Sequence, residues 1–302
     1  MNSSEKYPEG EILIRELFEI LWEKKKFIIG ATFISAIFSV IFSLMLTNYY
    51  VSASVLVARD GSGSSSGLLS QYSGLASLAG ISIPGVGGGG TATEVIEIIK
   101  SREFANHLSK FDEIKQSVMA AKSYDSSSQE LTYDSSIYDA EKNEWIEPEP
   151  SYLQLHREYR DILSISTDIE TGFISISIEH MSPVFAKNFL TLIITEANKL
   201  KREKDIETST NALKYLKDEL SKTSFVEIKE SINLLIESQL ETQMMAKINE
   251  EYSLITLEPP FIPDKKSKPN RAMICILGTI LGAMISVIFI LFQHYFYKAN
   301  EA

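Results

Sequence analysis

Two uninterrupted apolar runs dominate the pattern of this chain. Phe27 to Thr47, "FIIGATFISAIFSVIFSLMLT", and Ala272 to Phe292, "AMICILGTILGAMISVIFILF", each hold 21 residues without a charged side chain. At a rise of about 1.5 Å per residue, each spans roughly 30 Å as a helix, the thickness of a bilayer's hydrocarbon core. A soluble helix of that length carries a polar stripe. Neither run does, and both are predicted to be transmembrane helices. A cleaved signal peptide fits the first run poorly, because an apolar signal core is usually about 7–15 residues and a charged segment precedes this run.

The pattern between and around the runs is mixed. Ahead of the first, "EILIRELFEILWEKKK" spaces Leu13, Leu17, Ile20, Leu21 and Trp22 as on one helix face. It reads either as an amphipathic segment on the membrane surface or as an extension of the span. "YYVSASVLVA" alternates and predicts a strand; the Gly- and Ser-rich stretch after it predicts a long mobile loop. A helix is predicted over 91–108, with Thr91 and Glu94 spaced as a capping box. Residues 112–160 are polar and dotted with tyrosine, with a break at "EPEP". Then "ILSIST" and "FISISIE" flank Gly172 as a hairpin, with Ile174, Ile176 and Ile178 on one face.

Ser182 and Pro183 stand in the favoured order to start a helix. Its pattern continues to about residue 222, although "KLKREKDIETSTN" is polar all round. After a break near "TSF", a second helix runs over about 225–251. Helices this far beyond the mean of about 11–12 residues cannot both fold back on a small core, and they are expected to protrude from it. "YSLITLE" returns as a strand, and "PPFIPDKKSKP" is a stiff link into the second apolar run. One sheet assembled from distant strands is the economical architecture.

Charge sets the expected orientation. Lys24, Lys25 and Lys26 abut the first run and favour a cytoplasmic N-terminus. Lys265, Lys266, Lys268 and Arg271 before the second run oppose this, but long loops translocate largely regardless of charge, so the first helix decides. Both termini are then cytoplasmic. The intervening loop keeps 33 of the 40 acids and 23 of the 29 bases, a net charge of −10. That argues against a nucleic-acid partner, which needs a basic surface.

Little in the sequence points to catalysis or a cofactor. Gly85, Gly87, Gly88, Gly89 and Gly90 match G-x-G-x-x-G, but Pro84 precedes them where the dinucleotide motif needs a strand. Thr91 and Ala92 stand where a phosphate loop needs Lys and Ser or Thr. His107, His156, His180 and His294 are scattered and read as surface or packing residues rather than metal ligands. Glu147 and Glu149 read as an acidic break between prolines rather than a glycosidase pair. No G-x-S-x-G elbow occurs, and the single cysteine, Cys275, cannot form an intrachain disulfide. No catalytic, cofactor-binding or metal-ligating residue is expected. Tyr124, Tyr133, Tyr138 and Trp145 offer either sugar-stacking faces or ordinary packing. The apolar runs carry small-residue ridges, Ala31, Ser35, Ser39 and Ser43 on the first and Gly278, Gly282 and Ser286 on the second. Such ridges let helices approach closely, although small residues are common in membrane spans.

Taken in order, "EILIRELFEILWEKKKFIIG", "YYVSASVLV", "GLASLAGISIPGVGGGG" with "EVIEIIKSREF", "TGFISISIEHMSPVFAKNFLTLIITEANK" and "INEEYSLITLEPPFIPDKKSKPNRAMICILGTILG" resemble the chain-length determinant proteins, the Wzz-type polysaccharide co-polymerases. The resemblance implies a bacterial inner-membrane protein that is not an enzyme. It implies a homo-oligomeric ring that sets the length of O-antigen or a similar surface polysaccharide. The implied partners are a membrane polysaccharide polymerase and the growing lipid-linked polysaccharide. Ten residues after the second run leave no room for the kinase domain that some relatives add. A membrane adaptor or sensor for polysaccharide export or for a separate tyrosine kinase is the alternative. In a ring, the glycine loop expected at 85 and 87–90 would line the central space or pack on the next subunit.

The expected fold is an α/β (α+β) periplasmic base domain with long protruding helices, anchored by two transmembrane α-helices. Its segments are a cytoplasmic amphipathic stretch 1–26, a transmembrane helix 27–47, a periplasmic domain 48–271, a transmembrane helix 272–292 and a cytoplasmic tail 293–302. Within the periplasmic part the base takes about 48–182 and 252–258, the long helices 183–222 and 225–251, and the Pro-rich link 259–271.

Overall fold

A computed structural model describes residues 21–59, 91–111, 113–146 and 148–300. It divides into two compact units, Tyr49–Lys266 and the pairing of Met1–Asn48 with Ser267–Ala302. The five glycines at 85 and 87–90 lie outside the described residues, as does the stretch 11–20 of the amphipathic segment.

The larger unit is organised by a four-stranded antiparallel sheet. Its strands are β1 (Tyr50–Ala58), β6 (Leu163–Thr167), β7 (Ile174–His180) and β8 (Leu254–Glu258), in the order β6-β7-β1-β8. The distant ends of the chain therefore meet at β1, which pairs Leu56 with Ile174 on one side and with Thr256 on the other. The β6–β7 turn uses Gly172 at φ 72°, a left-handed conformation that an L side chain rarely adopts. Alternation along β7 buries Ile174, Ile176 and Ile178 completely on one face.

Helices cover that face. α2 (Thr91–Lys100), α3 (Arg102–Leu108) and α5 (Tyr152–Ile162) join the first half of α6 (Pro183–Lys222) around one core containing Val95, Ile99, Phe104, Tyr159, Phe189 and Ile193. The single helix expected over 91–108 is broken at Ser101. Its extended backbone leaves the helical region, and its side chain accepts from Phe104 N–H, restarting the helix as an N-cap. α6 begins as the sequence signals: Ser182 accepts from Phe185 N–H and Pro183 occupies the first turn. Its 40 residues extend about 60 Å. The far half packs on α7 (Val226–Ile248) in a small second cluster of Ala212, Leu216, Ile232 and Leu235. α7 stops at Ile248, three residues short of the expected end, where Asn249 turns extended.

The polar stretch 112–160 is more ordered than its pattern suggests. It holds α4 (Ile114–Met119), the hairpin β2 (Ala121–Asp125) with β3 (Glu130–Tyr133), the short pair β4 (Tyr138–Asp139) with β5 (Glu144–Trp145), and α5. α5 starts at a full capping box, in which Ser151 and Gln154 each bond the other's backbone N–H.

The smaller unit contains α1 (Lys25–Met45) and α8 (Arg271–Asn300). Both are long and apolar enough to cross a membrane, over Lys25–Met45 and Arg271–His294. α1 ends two residues before the expected boundary, with Leu46 extended, and α8 runs past residue 292.

Candidate functional site: the seam of the apolar helix pair

α1 and α8 lie against one another, and their small residues form the contact. Ser39 Oγ donates to the Ile274 carbonyl at 3.0 Å, and Ser35 Oγ donates to the Gly278 carbonyl at 3.0 Å. Such bonds need a backbone that a neighbouring helix can reach. A Cβ on Gly278 would stand 2.7 Å from Ser39 Cβ, and one on Gly282 would overlap Ser35 Cβ. The glycines thus permit the approach, and the serine hydroxyls use it. Moving along α1 from Ser35 to Ser39 moves the contact back along α8, so the helices run antiparallel. Phe27 stacks on Phe289 in the same sense, with ring centroids 5.9 Å apart.

The remaining ridge residues differ in what they do. Ser43 is buried and its Oγ has no hydrogen-bond partner. Ser286 is buried too, but it donates within its own helix, to the Ala283 carbonyl at 2.7 Å. Ala31 is half-buried on α1. At the ends of the pair, Arg271 Nη2 donates to Asn48 Oδ1 at 3.1 Å, and the Lys25 ammonium sits 4.3 Å over the Trp22 ring. The sequence pattern marks these serines as small; their role as donors to backbone carbonyls depends on the helix register and is not visible in it.

In the larger unit the polar groups tie elements together. Asn198 of α6 accepts from the Ser253 and Leu254 N–H groups through Oδ1 and donates to the Leu254 carbonyl, fastening β8 to the helix. Lys201, expected on a helix polar all round, is buried between Glu94 at 2.9 Å and Asp205 at 2.8 Å. Burial pulls the Lys201 amine down, but the two carboxylates outweigh it and hold the amine above its usual range. Glu94 is likewise pushed up by burial, and Lys201 and Lys204 more than offset this to leave its carboxyl low. His107 meets the buried Glu196 at 2.6 Å. His180 is buried, with Nε2 on the Ser117 carbonyl and Nδ1 accepting from Ser182 N–H. These are bonds of a folded frame. Among the described residues, no group of three or more His, Cys, Asp or Glu could hold a metal ion.

Three of the four candidate aromatics come together. Tyr138 meets Trp145 at 5.0 Å and Tyr133 at 5.5 Å, both edge to face. Tyr124, on β2, takes no part in these ring contacts.

Residues 10–110 match the family model of the Wzz chain length determinant protein. The likeness to that family rests on 101 of the 302 residues. The matched segment takes in α1, β1, α2 and α3, so it includes Ser35, Ser39 and the strand that pairs with both β7 and β8. The chain is also similar to two solved structures. One is a full-length bacterial polysaccharide co-polymerase, at 11% identity over 96% of this chain and 100% of that one, with a TM-score of 0.47. The other is a fragment of WzzB, a polysaccharide co-polymerase from Salmonella Typhimurium, at 14% identity over 73% of this chain and 100% of that one, with a TM-score of 0.28. No curated protein matches the chain.

Proposed function

We propose that this chain regulates the length of a surface polysaccharide of the O-antigen type without catalysing its synthesis. It acts as a homo-oligomeric ring beside a membrane polysaccharide polymerase and contacts the growing lipid-linked chain. The observation that carries the reading is the Wzz match across residues 10–110. The antiparallel pairing of α1 and α8 through Ser35, Ser39, Gly278 and Gly282 supports the membrane part of it. The two helices form a hairpin in the inner membrane, both termini are cytoplasmic, and residues 48–271 face the periplasm. The glycine run at 85 and 87–90 serves assembly, and shortening Gly87 to Gly90 alters assembly or polymer length.

The test is the polysaccharide ladder on a silver-stained gel from cells with and without the chain. A broad ladder that gathers into a band of preferred length when the chain is restored supports the reading. An identical ladder in both removes it and leaves the adaptor or sensor role.

A further inference from the structure

The end of the helix pair where α1 finishes and α8 begins gathers polar groups that the chain itself does not satisfy. Ser35 reaches Gly278 and Ser39 reaches Ile274, so the next turn of α1 brings Ser43 level with Asn270 and Arg271. Arg271 stands on the same face of α8 as Ile274 and Gly278, by helical spacing. Among the described residues, three buried side-chain polar atoms have no hydrogen-bond partner: Ser43 Oγ, Arg271 Nε and Arg59 Nε. The first two come together at this one end. We propose that it binds the phosphate of an anionic membrane lipid through Arg271 and Ser43. The inference rests on the membrane hairpin of the regulator reading, and not on its polysaccharide.

The chemistry of the two groups selects the ligand. A hydroxyl that is 1% exposed and a covered guanidinium N–H both cost free energy when unpaired, and an apolar surrounding raises that cost. Both can donate, so a single oxyanion satisfies them together. The guanidinium fork also matches phosphate oxygens in shape. Arg271 Nη2 is tied to Asn48 Oδ1 at 3.1 Å, which orients the fork.

Charge points the same way. No Asp or Glu occurs between Lys24 and Ala58 or between Lys265 and Asn300, so neither apolar helix nor its near flank offers Arg271 a carboxylate. The N-terminus of the 30-residue α8, capped by Asn270 Oδ1 on Met273 N–H at 3.2 Å, adds its positive end. A phosphate brings the negative charge that this end lacks. Place decides the source. Arg271 heads one membrane-length apolar helix and Ser43 lies in the last turn of the other, at the boundary where lipid headgroups stand. Arg271 is partly exposed there, and α1 ends at Met45 with Leu46 extended, so the last turn of α1 can part to admit the headgroup.

The test uses the full chain in lauryldimethylamine oxide micelles, which contain no phosphate. Native mass spectrometry follows three probes: dioleoyl phosphatidylglycerol, dioleoylglycerol with the same chains and no phosphate, and inorganic phosphate. Wild type is expected to bind phosphatidylglycerol about tenfold more tightly than dioleoylglycerol. Arg271→Gln is expected to erase that preference. Ser43→Ala breaks no hydrogen bond of the folded chain and is expected to weaken phosphatidylglycerol binding about threefold. Lys298→Gln makes the same change in net charge at the other end of α8 and is expected to bind as wild type does. Equal binding of the two lipids by wild type, unchanged binding by Ser43→Ala, or equal effects of Arg271→Gln and Lys298→Gln overturns the proposal. So does inorganic phosphate that binds as tightly as the phospholipid. The same chains in vesicles are then washed with alkaline carbonate. A chain stripped from the vesicles loses the hairpin and the site together. One that resists the wash but shows no preference for phosphatidylglycerol loses the site alone.

Discussion

The two halves of α6 are one continuous helix in two unlike settings. From Ala186 to Ala197 it lays Phe189, Leu190 and Ile193 on the sheet, all essentially without exposure, and Asn198 then fastens it to β8. From Ala212 to Leu216 it packs on Ile232 and Leu235 of α7, with Leu220 and Ile236 partly buried beside them, while Val226 and Met244 nearby stay 76% and 60% exposed. Helix propensity does not separate the halves; burial does, because most helical stability in proteins comes from packing an apolar face. The near half is a wall of the core, and the far half is held by a few contacts in a narrow seam.

That contrast is broken most severely from the core side. Phe189→Ala removes a ring packed edge to face on Tyr159 and stacked on Phe185, and is expected to cost about 4 kcal/mol, read as a fall in the melting temperature of the larger unit. Asn198→Leu keeps the bulk but strands the Ser253 and Leu254 N–H groups and the Leu254 carbonyl. Its expected cost is about 3 kcal/mol in chemical denaturation.

Acid loosens the same end of the helix through His180. Burial pushes its imidazole from the ordinary 6.5 down to about 4, so the folded chain keeps it neutral. Between those values the unfolded chain binds the proton more readily, and stability falls as pH falls. The loss reaches about 2 kcal/mol by pH 5. His180→Gln, which retains a donor, is expected to flatten the dependence of melting temperature on pH between 6.5 and 5.

On the far side the effects shrink and become local. Leu216→Ala is expected to cost about 2 kcal/mol, the low end for a buried leucine, because its cluster can collapse. Hydrogen exchange should then quicken in α7 and not in β7. Gln243→Ala removes an exposed bond to Thr210 Oγ1 at 2.9 Å, and denaturation should shift by less than about 0.5 kcal/mol.

The sequence makes the near half legible because its signals are local. Ile174, Ile176 and Ile178 alternate, and Ser182-Pro183 marks the helix start without any tertiary knowledge. It hides what depends on distant partners. Lys201 reads as a solvated lysine because Glu94 stands more than a hundred positions away. α5 escapes notice because Leu155 and Tyr159 are its only fully buried positions, although Ser151 and Gln154 spell its capping box. At the apolar helix pair, small residues are readable as a ridge, whereas the carbonyls of Ile274 and Gly278 that receive the serines are set by register. The Tyr138–Trp145 pair lies on strands of two residues each, too short to show a period.

Amide hydrogen exchange along α6 tests the division most directly. The amides of residues 189–197 should exchange slowest, near the rate of global unfolding, and those of 213–222 should exchange much faster through local opening of the α6–α7 seam. Equal protection along the whole helix would contradict the account, since the two halves would then share a single cooperative core.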